Sequence, residues 1–274
     1  MKIFTLNGAK TALNVFAGIC IVTLIYFGFL HNSGAVVVSG EPTQTSYLAL
    51  IINGFGHGAC GTREFMYLDI PFTAGVMPDS PYTDDDVRRL VANGKDLMIY
   101  MPMEARNMRG VRLPDIHIMD AHTKADARAA ILKANEQIRD ARGITNHLGS
   151  RVMENEELVE TILSTAAQSK LYFVESPGIN RSKASEVAEG LGELGIRVYT
   201  ADILLDGSGD IRRIERAIRS AAREANENGF AIAVGNLGDG GGKATAQAIM
   251  NMRDELAQMG IVFVNMSELT ARLD

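Results

Sequence analysis

The stretch Tyr47-Leu48-Ala49-Leu50-Ile51-Ile52-Asn53 decides the fold. Its apolar residues run without a polar interruption and stop at an amide. A strand with one wet face alternates apolar and polar residues. A run without alternation is covered on both faces, as in a parallel sheet clothed by helices. Similar runs recur downstream: PFTAGVM (71–77), DLMIYMP (96–102), RGITNH (142–147), LYFVES (171–176), IRVYT (196–200), FAIAVGN (230–236) and IVFVN (261–265). Amphipathic stretches separate them. DDDVRRLVANG carries Thr83 and Asp86 at capping-box spacing. ENEELVETILSTAAQ and DIRRIERAIRSAAREANENG have apolar residues at helical spacing and acidic starts. This alternation predicts an α/β fold, seven or eight units that fit a (β/α) barrel better than two domains, with its chemistry at the C-terminal ends of the strands.

Upstream, Thr11–Leu30 reads TALNVFAGICIVTLIYFGFL, without a charge. As a helix it would span roughly 30 Å, the thickness of a bilayer's hydrocarbon core. Lys2 and Lys10 precede it and no Lys or Arg follows until Arg63, which places the N-terminus in the cytoplasm and the rest outside. A cleaved signal peptide is the rival reading, but no A-x-A site follows. The expected organisation is a cytoplasmic N-terminus (1–10), a single transmembrane helix (11–30), a linker (31–45) and a folded domain (46–274). That puts the protein at a bacterial inner membrane, single-pass, with the domain periplasmic or otherwise extracytoplasmic. Asn14, Gly18, Thr23 and Gly28 give the anchor small or polar notches suited to a membrane-protein partner, although a passive tether needs none of them.

The chain has 274 residues, 46% hydrophobic and 22% charged, with a net charge of −6. An acidic balance without a basic run argues against nucleic acid as a partner. Two cysteines, Cys20 and Cys60, exclude a disulfide framework or a Cys-rich zinc module. The absence of Trp weakens a stacking sugar site without removing it.

Two glycine-rich stretches imitate phosphate loops. Gly56-His57-Gly58-Ala59-Cys60-Gly61 matches G-x-G-x-x-G after a strand, with Asp79 near the place of a ribose-binding acid. Gly238-Asp239-Gly240-Gly241-Gly242-Lys243 fails as a P-loop because Leu237 and Ala244 stand where Gly and Ser/Thr are needed. No H-E-x-x-H, G-x-S-x-G or C-x-x-C occurs.

The remaining segments carry their information in their order: Leu48–Gly56, then Tyr100-Met101-Pro102-Met103-Glu104, then Thr145-Asn146-His147-Leu148-Gly149-Ser150-Arg151, Tyr172–Ser176, Ile203–Asp206 and Ala231–Asn236. Together, and most specifically through N-H-L-G-S-R after P-M-E, they resemble the divergent polysaccharide deacetylase family over about residues 46 to 270. The resemblance implies a distorted (β/α)7-type barrel and, in active members, a divalent metal, usually zinc. Such a metal lowers the pKa of a bound water and polarises the acetyl carbonyl.

This chain departs from the family pattern. Asn53-Gly54 stands for Asp-Asp, Tyr100 for a His, Gly235-Asn236-Leu237 for Gly-His-Pro, and Glu175 for an Asp. Glu104, Asn146, His147, Ser150, Arg151 and Asp206 are kept. Of the ligand positions, His147 alone retains its type. The expectation is a vestigial pocket of Asn53, Tyr100, Glu104, Asn146, His147, Ser150, Arg151, Glu175, Asp206 and Asn236, with no metal and no assigned catalytic residue. Neutral amides and the Tyr100 hydroxyl would fill it, with Tyr100 bonded to Asn53 or Asn236 and His147 bonded to Glu104, Asp206 or a backbone carbonyl. Arg151 and Asp206 could instead pair structurally. His57, His117 and His122 are the residues that could rebuild a zinc site, and the plainer reading leaves them solvated. The function expected is a catalytically degenerate deacetylase-like protein that binds a cell-envelope glycan or a membrane-protein partner. The rivals are an active zinc deacetylase with rearranged ligands and a nucleotide-binding domain.

Overall fold

The computed structural model describes residues 45–205 and 208–273. The predicted anchor Thr11–Leu30, its linker and Asp206 lie outside the described residues. No helix among those described is long and apolar enough to cross a membrane.

Nine strands form one parallel sheet: β1 (Ser46–Phe55), β2 (Thr73–Val76), β3 (Asp96–Met103), β4 (Ala141–Leu148), β5 (Tyr172–Glu175), β6 (Val198–Thr200), β7 (Ile203–Leu204), β8 (Phe230–Asn236) and β9 (Ile261–Val264). Eight helices accompany them: α1 (Thr62–Met66), α2 (Thr83–Ala92), α3 (Lys124–Gln137), α4 (Glu156–Gln168), α5 (Ala184–Gly190), α6 (Ile211–Asn228), α7 (Gly242–Gln258) and α8 (Met266–Arg272), counted among the described residues. The strand order is β6-β5-β4-β3-β2-β1-β8-β7. Strand β9 pairs with the start of β1 at Ser46–Ala49, while β2 pairs with its end.

The two ends of this order are joined by only two residues. β6 pairs with β5 and β7 with β8, and between them Ala201 N–H donates to Glu175 O (3.0 Å) and Asp202 N–H to Ile232 O (2.9 Å). One extended segment therefore changes partners and curls the sheet into a barrel-like shape. β7 has two residues, Ile203 and Leu204, too short an apolar run to show as a strand by periodicity.

Side-chain parity sorts the core. Leu48, Leu50, Ile52, Ile99, Ile144, Phe173 and Ala233 belong to a large outer core with the helices. Ala49, Ile51, Met98, Tyr172, Val174, Ile232 and Val234 form a separate cluster with Met266 and Leu269 of α8, enclosed by the sheet. Alternation is the cause, since successive Cβ atoms point to opposite faces. Helix α8 stops the N-terminal end of this inner core. There Met266 N–H donates to Thr73 Oγ1 (2.7 Å), Thr73 Oγ1 donates to Asp96 Oδ2 (2.7 Å) and Ser267 Oγ donates to Asp96 Oδ1 (2.6 Å).

Thr83 and Asp86 do not form the expected capping box. Tyr82 occupies the cap position of α2 without a side-chain bond. Thr83 Oγ1 donates to Met77 O (2.7 Å), and Asp86 Oδ2 accepts from Gly56 N–H (2.8 Å). Both side chains hold the ends of β1 and β2 in place, and that bonding is incompatible with capping their own helix.

The two glycine-rich stretches meet each other. A Cβ on Gly61 (φ 95°) would collide with the Gly242 backbone, and one on Gly242 would strike the Cys60 carbonyl. Gly238 N–H donates to Cys60 O (2.9 Å). Backbone packed on backbone accounts for both glycine runs.

Candidate functional site

At the C-terminal ends of β1, β3, β4, β5 and β8 lies a cavity of about 580 Å³. The inward parity that carries Ile51, Met98, Val174 and Val234 continues upward to Asn53, Tyr100, Ser176 and Asn236, and on β4 to His147. Asn53 is in register with Asn236 on one side and Gly75 on the other. Leu148, Ile179, Leu204, Leu237 and Met77 supply apolar wall. Among the described residues, no Asp, Glu, Lys or Arg lines the cavity.

His147 Nδ1 lies 2.7 Å from the Tyr100 hydroxyl, and the rings meet edge to face at 4.7 Å. Burial, with a smaller contribution from His57, lowers the His147 pKa to about 4, so the imidazole is neutral at neutral pH. Of the expected partners, Glu104 is engaged elsewhere, by Asp120 N–H, and Asp206 lies outside the described residues. Parity places Tyr100 inside beside it, whereas Glu104 follows the end of β3 and turns away. His57 reaches the same cavity, its Nε2 2.8 Å from Met77 Sδ.

Asn146, on the opposite parity, is bound to backbone. Its Nδ2 donates to Leu148 O (2.7 Å) and its Oδ1 accepts from Ser176 N–H (2.9 Å). Those bonds brace Leu148, which holds φ 58°, a left-handed conformation costly for a side chain of that size. Asn53 is 1% exposed and its Oδ1 has no hydrogen-bond partner. That oxygen is turned toward Gly75, where a Cβ would collide with it.

Three predicted site residues fall outside the cavity wall. Glu104 Oε2 accepts from Asp120 N–H (2.9 Å) and its Oε1 is 3.8 Å from Arg151 Nε. Arg151 Nε donates to Asp120 Oδ2 (3.0 Å), so among the described residues Arg151 is paired with Asp120 and Glu104. Glu175 shares the parity of Phe173 and faces the helix layer. Burial raises its pKa, opposed by a hydrogen bond from Ser182, and its Oε1 has no partner. Ser150 links the two areas: it lines the cavity, and its Oγ accepts from Arg106 N–H (3.1 Å). The adjoining cleft of about 520 Å³ is lined by Arg106, Asp120, Arg151, Glu154 and Asn155. Its charges are already matched, Arg106 to Glu154 and Arg151 to Asp120, and these bonds, with one from Asn155 to Asp120, hold both carboxyls below the usual range. His117 and His122 pack on each other at 5.4 Å, and neither lines the cavity.

The donor set does not suit zinc. The cavity offers two imidazoles and a thioether, with no carboxylate and no thiolate among its described lining residues. One imidazole nitrogen is engaged by Tyr100. Catalytic zinc takes three His or carboxylate ligands and keeps an open position. No group of three or more His, Cys, Asp or Glu among the described residues could hold a metal ion. The sequence signals that found the site were the strand ends and the family order; His57 was marked by its place just after the first strand, whereas Met77 carried no chemical signal.

Comparison with known proteins places this geometry. The sequence model described as divergent polysaccharide deacetylase matches residues 50–270. A protein of Haemophilus influenzae described as uncharacterized is 29% identical over 209 residues, covering 76% of this chain and 72% of its own. The uncharacterized protein YibQ of Escherichia coli is 22% identical over 223 residues, covering 81% of this chain and 68% of its own. Among solved structures, an uncharacterized protein from Agrobacterium tumefaciens superposes with a TM-score of 0.74 at 21% identity, covering 82% of this chain and 89% of that one. A peptidoglycan N-acetylglucosamine deacetylase superposes with a TM-score of 0.51 at 11% identity, covering 83% and 89%. At these identities the superpositions speak for the fold.

Proposed function

The chain belongs to the divergent polysaccharide deacetylase family, and from that premise we propose that it is a membrane-anchored, catalytically degenerate member that acts by binding. The observation that carries this reading is the cavity, uncharged in its described lining, at the place where the barrel puts its chemistry, with Asn53, Tyr100 and Asn236 at three inward positions. Amide and hydroxyl groups beside apolar wall suit a neutral ligand bearing hydroxyl and acetamido groups, such as an N-acetylated stretch of cell-envelope glycan. A carboxylate base and a metal-activated water, which amide hydrolysis of this kind needs, find no carriers in the described lining. The uncharged run Thr11–Leu30 supports the anchor and the extracytoplasmic placement, and its notches support a membrane-protein partner in addition.

One observation favours the rival zinc deacetylase: His57 stands in the same cavity as His147. Metal analysis of the purified full chain, with assays on N-acetylglucosamine oligomers, separates the two. The expected result is no stoichiometric zinc, no acetate release, no rise in melting temperature with micromolar zinc, and a rise with the oligomers themselves, since a ligand stabilises in proportion to how far it exceeds its Kd. Stoichiometric zinc together with acetate release would overturn the proposal.

A further inference from the structure

The longest described helix, α6, has an outer face that neither the barrel nor the cavity uses. Ile214, Ile218, Ala221, Ala222 and Ala225 are buried against the sheet and α7. Opposite them stand Arg212, Arg216, Arg219 and Arg223, which at about 100° per residue fall within an arc of about 60° and extend for about 16 Å. Arg219 is held by Glu255 (2.6 and 2.8 Å). Arg212, Arg216 and Arg223 are exposed and form no ion pair among the described residues. The acidic neighbours on the helix's flanks are occupied: Glu215 accepts from Asn251 and Glu224 from Asn228. Among the described residues, Asp210, which caps the helix two residues before Arg212, and Glu227 are exposed acids near the two ends of the stripe. In a chain of net charge −6, this row of guanidinium groups is a local excess of positive charge that suits a partner of opposite charge.

The position of the chain's entry into the domain says what that partner is. Tyr47 N–H donates to the carbonyl of Gly229 (3.0 Å), the residue that ends α6. The polypeptide from the N-terminal apolar segment thus joins the domain at the foot of the arginine stripe. The linker, residues 31–45, reaches at most about 50 Å when fully extended. We propose that the Arg212–Arg216–Arg223 face of α6 docks on the anionic phospholipid surface of the membrane that holds the N-terminal segment, orienting the cavity relative to that surface. This inference rests on the anchor proposed above. Guanidinium groups bind lipid phosphates bidentately, and basic groups near an anionic leaflet are drawn to it within a Debye length.

The test uses the full chain in vesicles of phosphatidylcholine alone or mixed with phosphatidylglycerol. Phenylglyoxal modification is mapped residue by residue by mass spectrometry, with exposed Arg109 and Arg112 as internal references. Modification of Arg212, Arg216 and Arg223 is expected to slow about fivefold in the anionic vesicles alone, and to recover at high salt. The combined variant Arg212→Gln, Arg216→Gln and Arg223→Gln should fold normally, because these side chains hold nothing, and should lose the anionic-lipid protection of Arg219. Equal modification in both vesicle types would overturn the proposal, as would protection by soluble polyphosphate without protection by lipid. Flotation with neutral vesicles tests the anchor separately. Should the chain fail to float with them, flotation with anionic vesicles that the triple variant loses still supports the stripe, and its absence overturns it.

Discussion

The two ends of the barrel bury polar groups in opposite ways. At the N-terminal end Asp96 is a half-buried carboxyl that accepts from Thr73, Ser267 and, at 3.4 Å, Tyr172, and this network ties α8 across the inner core. At the C-terminal end the described inward positions are neutral and line an open cavity, while Asn53 Oδ1, turned toward Gly75, stays unpaired. Saturated hydrogen bonding holds a plug in place at one end; at the other, an open cavity is left whose described lining is polar but uncharged beside apolar wall. The same alternation builds both, so the difference lies in the residues and not in the backbone.

The largest effect expected from this contrast is at the closed end. Asp96→Ala would leave the hydroxyls of Thr73, Ser267 and Tyr172 without their shared acceptor in a half-buried site. A loss of about 3 kcal/mol or more of stability is expected in denaturant unfolding. A loss below about 1 kcal/mol would show that α8 is held by packing alone, and the contrast between the ends would fail.

The second test is pH, where burial acts on both ends with opposite sign. Burial raises the Asp96 pKa, partly offset by its hydrogen bonds, and lowers that of His147 to about 4. Between the ordinary carboxyl pKa and its raised folded value, Asp96 holds more proton folded than unfolded, so its contribution to stability falls as pH rises. Between about 4 and 6.5 the unfolded chain protonates His147 and the folded one does not, so that contribution is lost as pH falls. For His147 the loss from neutral pH to pH 5 is about 2 kcal/mol. Unfolding measured over this range should show His147→Gln less acid-sensitive than the parent, and Asp96→Asn more so. Parallel pH profiles for the parent and His147→Gln would mean that the imidazole is solvated in the folded protein.

How much of this was legible follows from what each residue's neighbours in sequence reveal. The long strands stood out because Leu48–Ile52 and Phe230–Val234 are apolar on both faces. Their alternation also contained the inward row, since Asn53, Tyr100 and Asn236 continue the parity of the inner-core residues Ile51, Met98 and Val234, and His147 is opposite in parity to the outer-core Ile144. Glu175 was misplaced by attending to order alone; counting two from Phe173 puts it outside. Thr83 and Asp86 had the spacing of a cap, but tertiary acceptors and donors at Met77 and Gly56 outcompeted it. Thr123 and Asp126, with the same spacing and no such competitors, do form a capping box at α3. Asp96 opens a strand, where an acid reads as exposed, and only the arrival of α8 from the far end of the chain buries it.

The smallest expected effect is at Asn53, and it tests the open end directly. Its side chain is buried, yet one of its two polar atoms bonds to nothing. Truncation to Ala removes packing, which destabilises, and removes a desolvated carbonyl oxygen, which stabilises by a comparable amount. Asn53→Ala should therefore change unfolding stability by no more than about 1 kcal/mol. It should nevertheless weaken binding of N-acetylglucosamine oligomers, because an amide facing a ligand contributes to binding what it does not contribute to folding. Asn53→Asp sharpens the comparison, since it places a charge in the neutral cavity with no cation and no arginine on the described lining to meet it. The folded state can accept that carboxyl only protonated, so the variant should lose stability as pH rises above the ordinary carboxyl range. An Asn53→Asp protein as stable at pH 8 as the parent would mean that a positive group reaches the cavity, and the neutral-ligand reading would have to be abandoned.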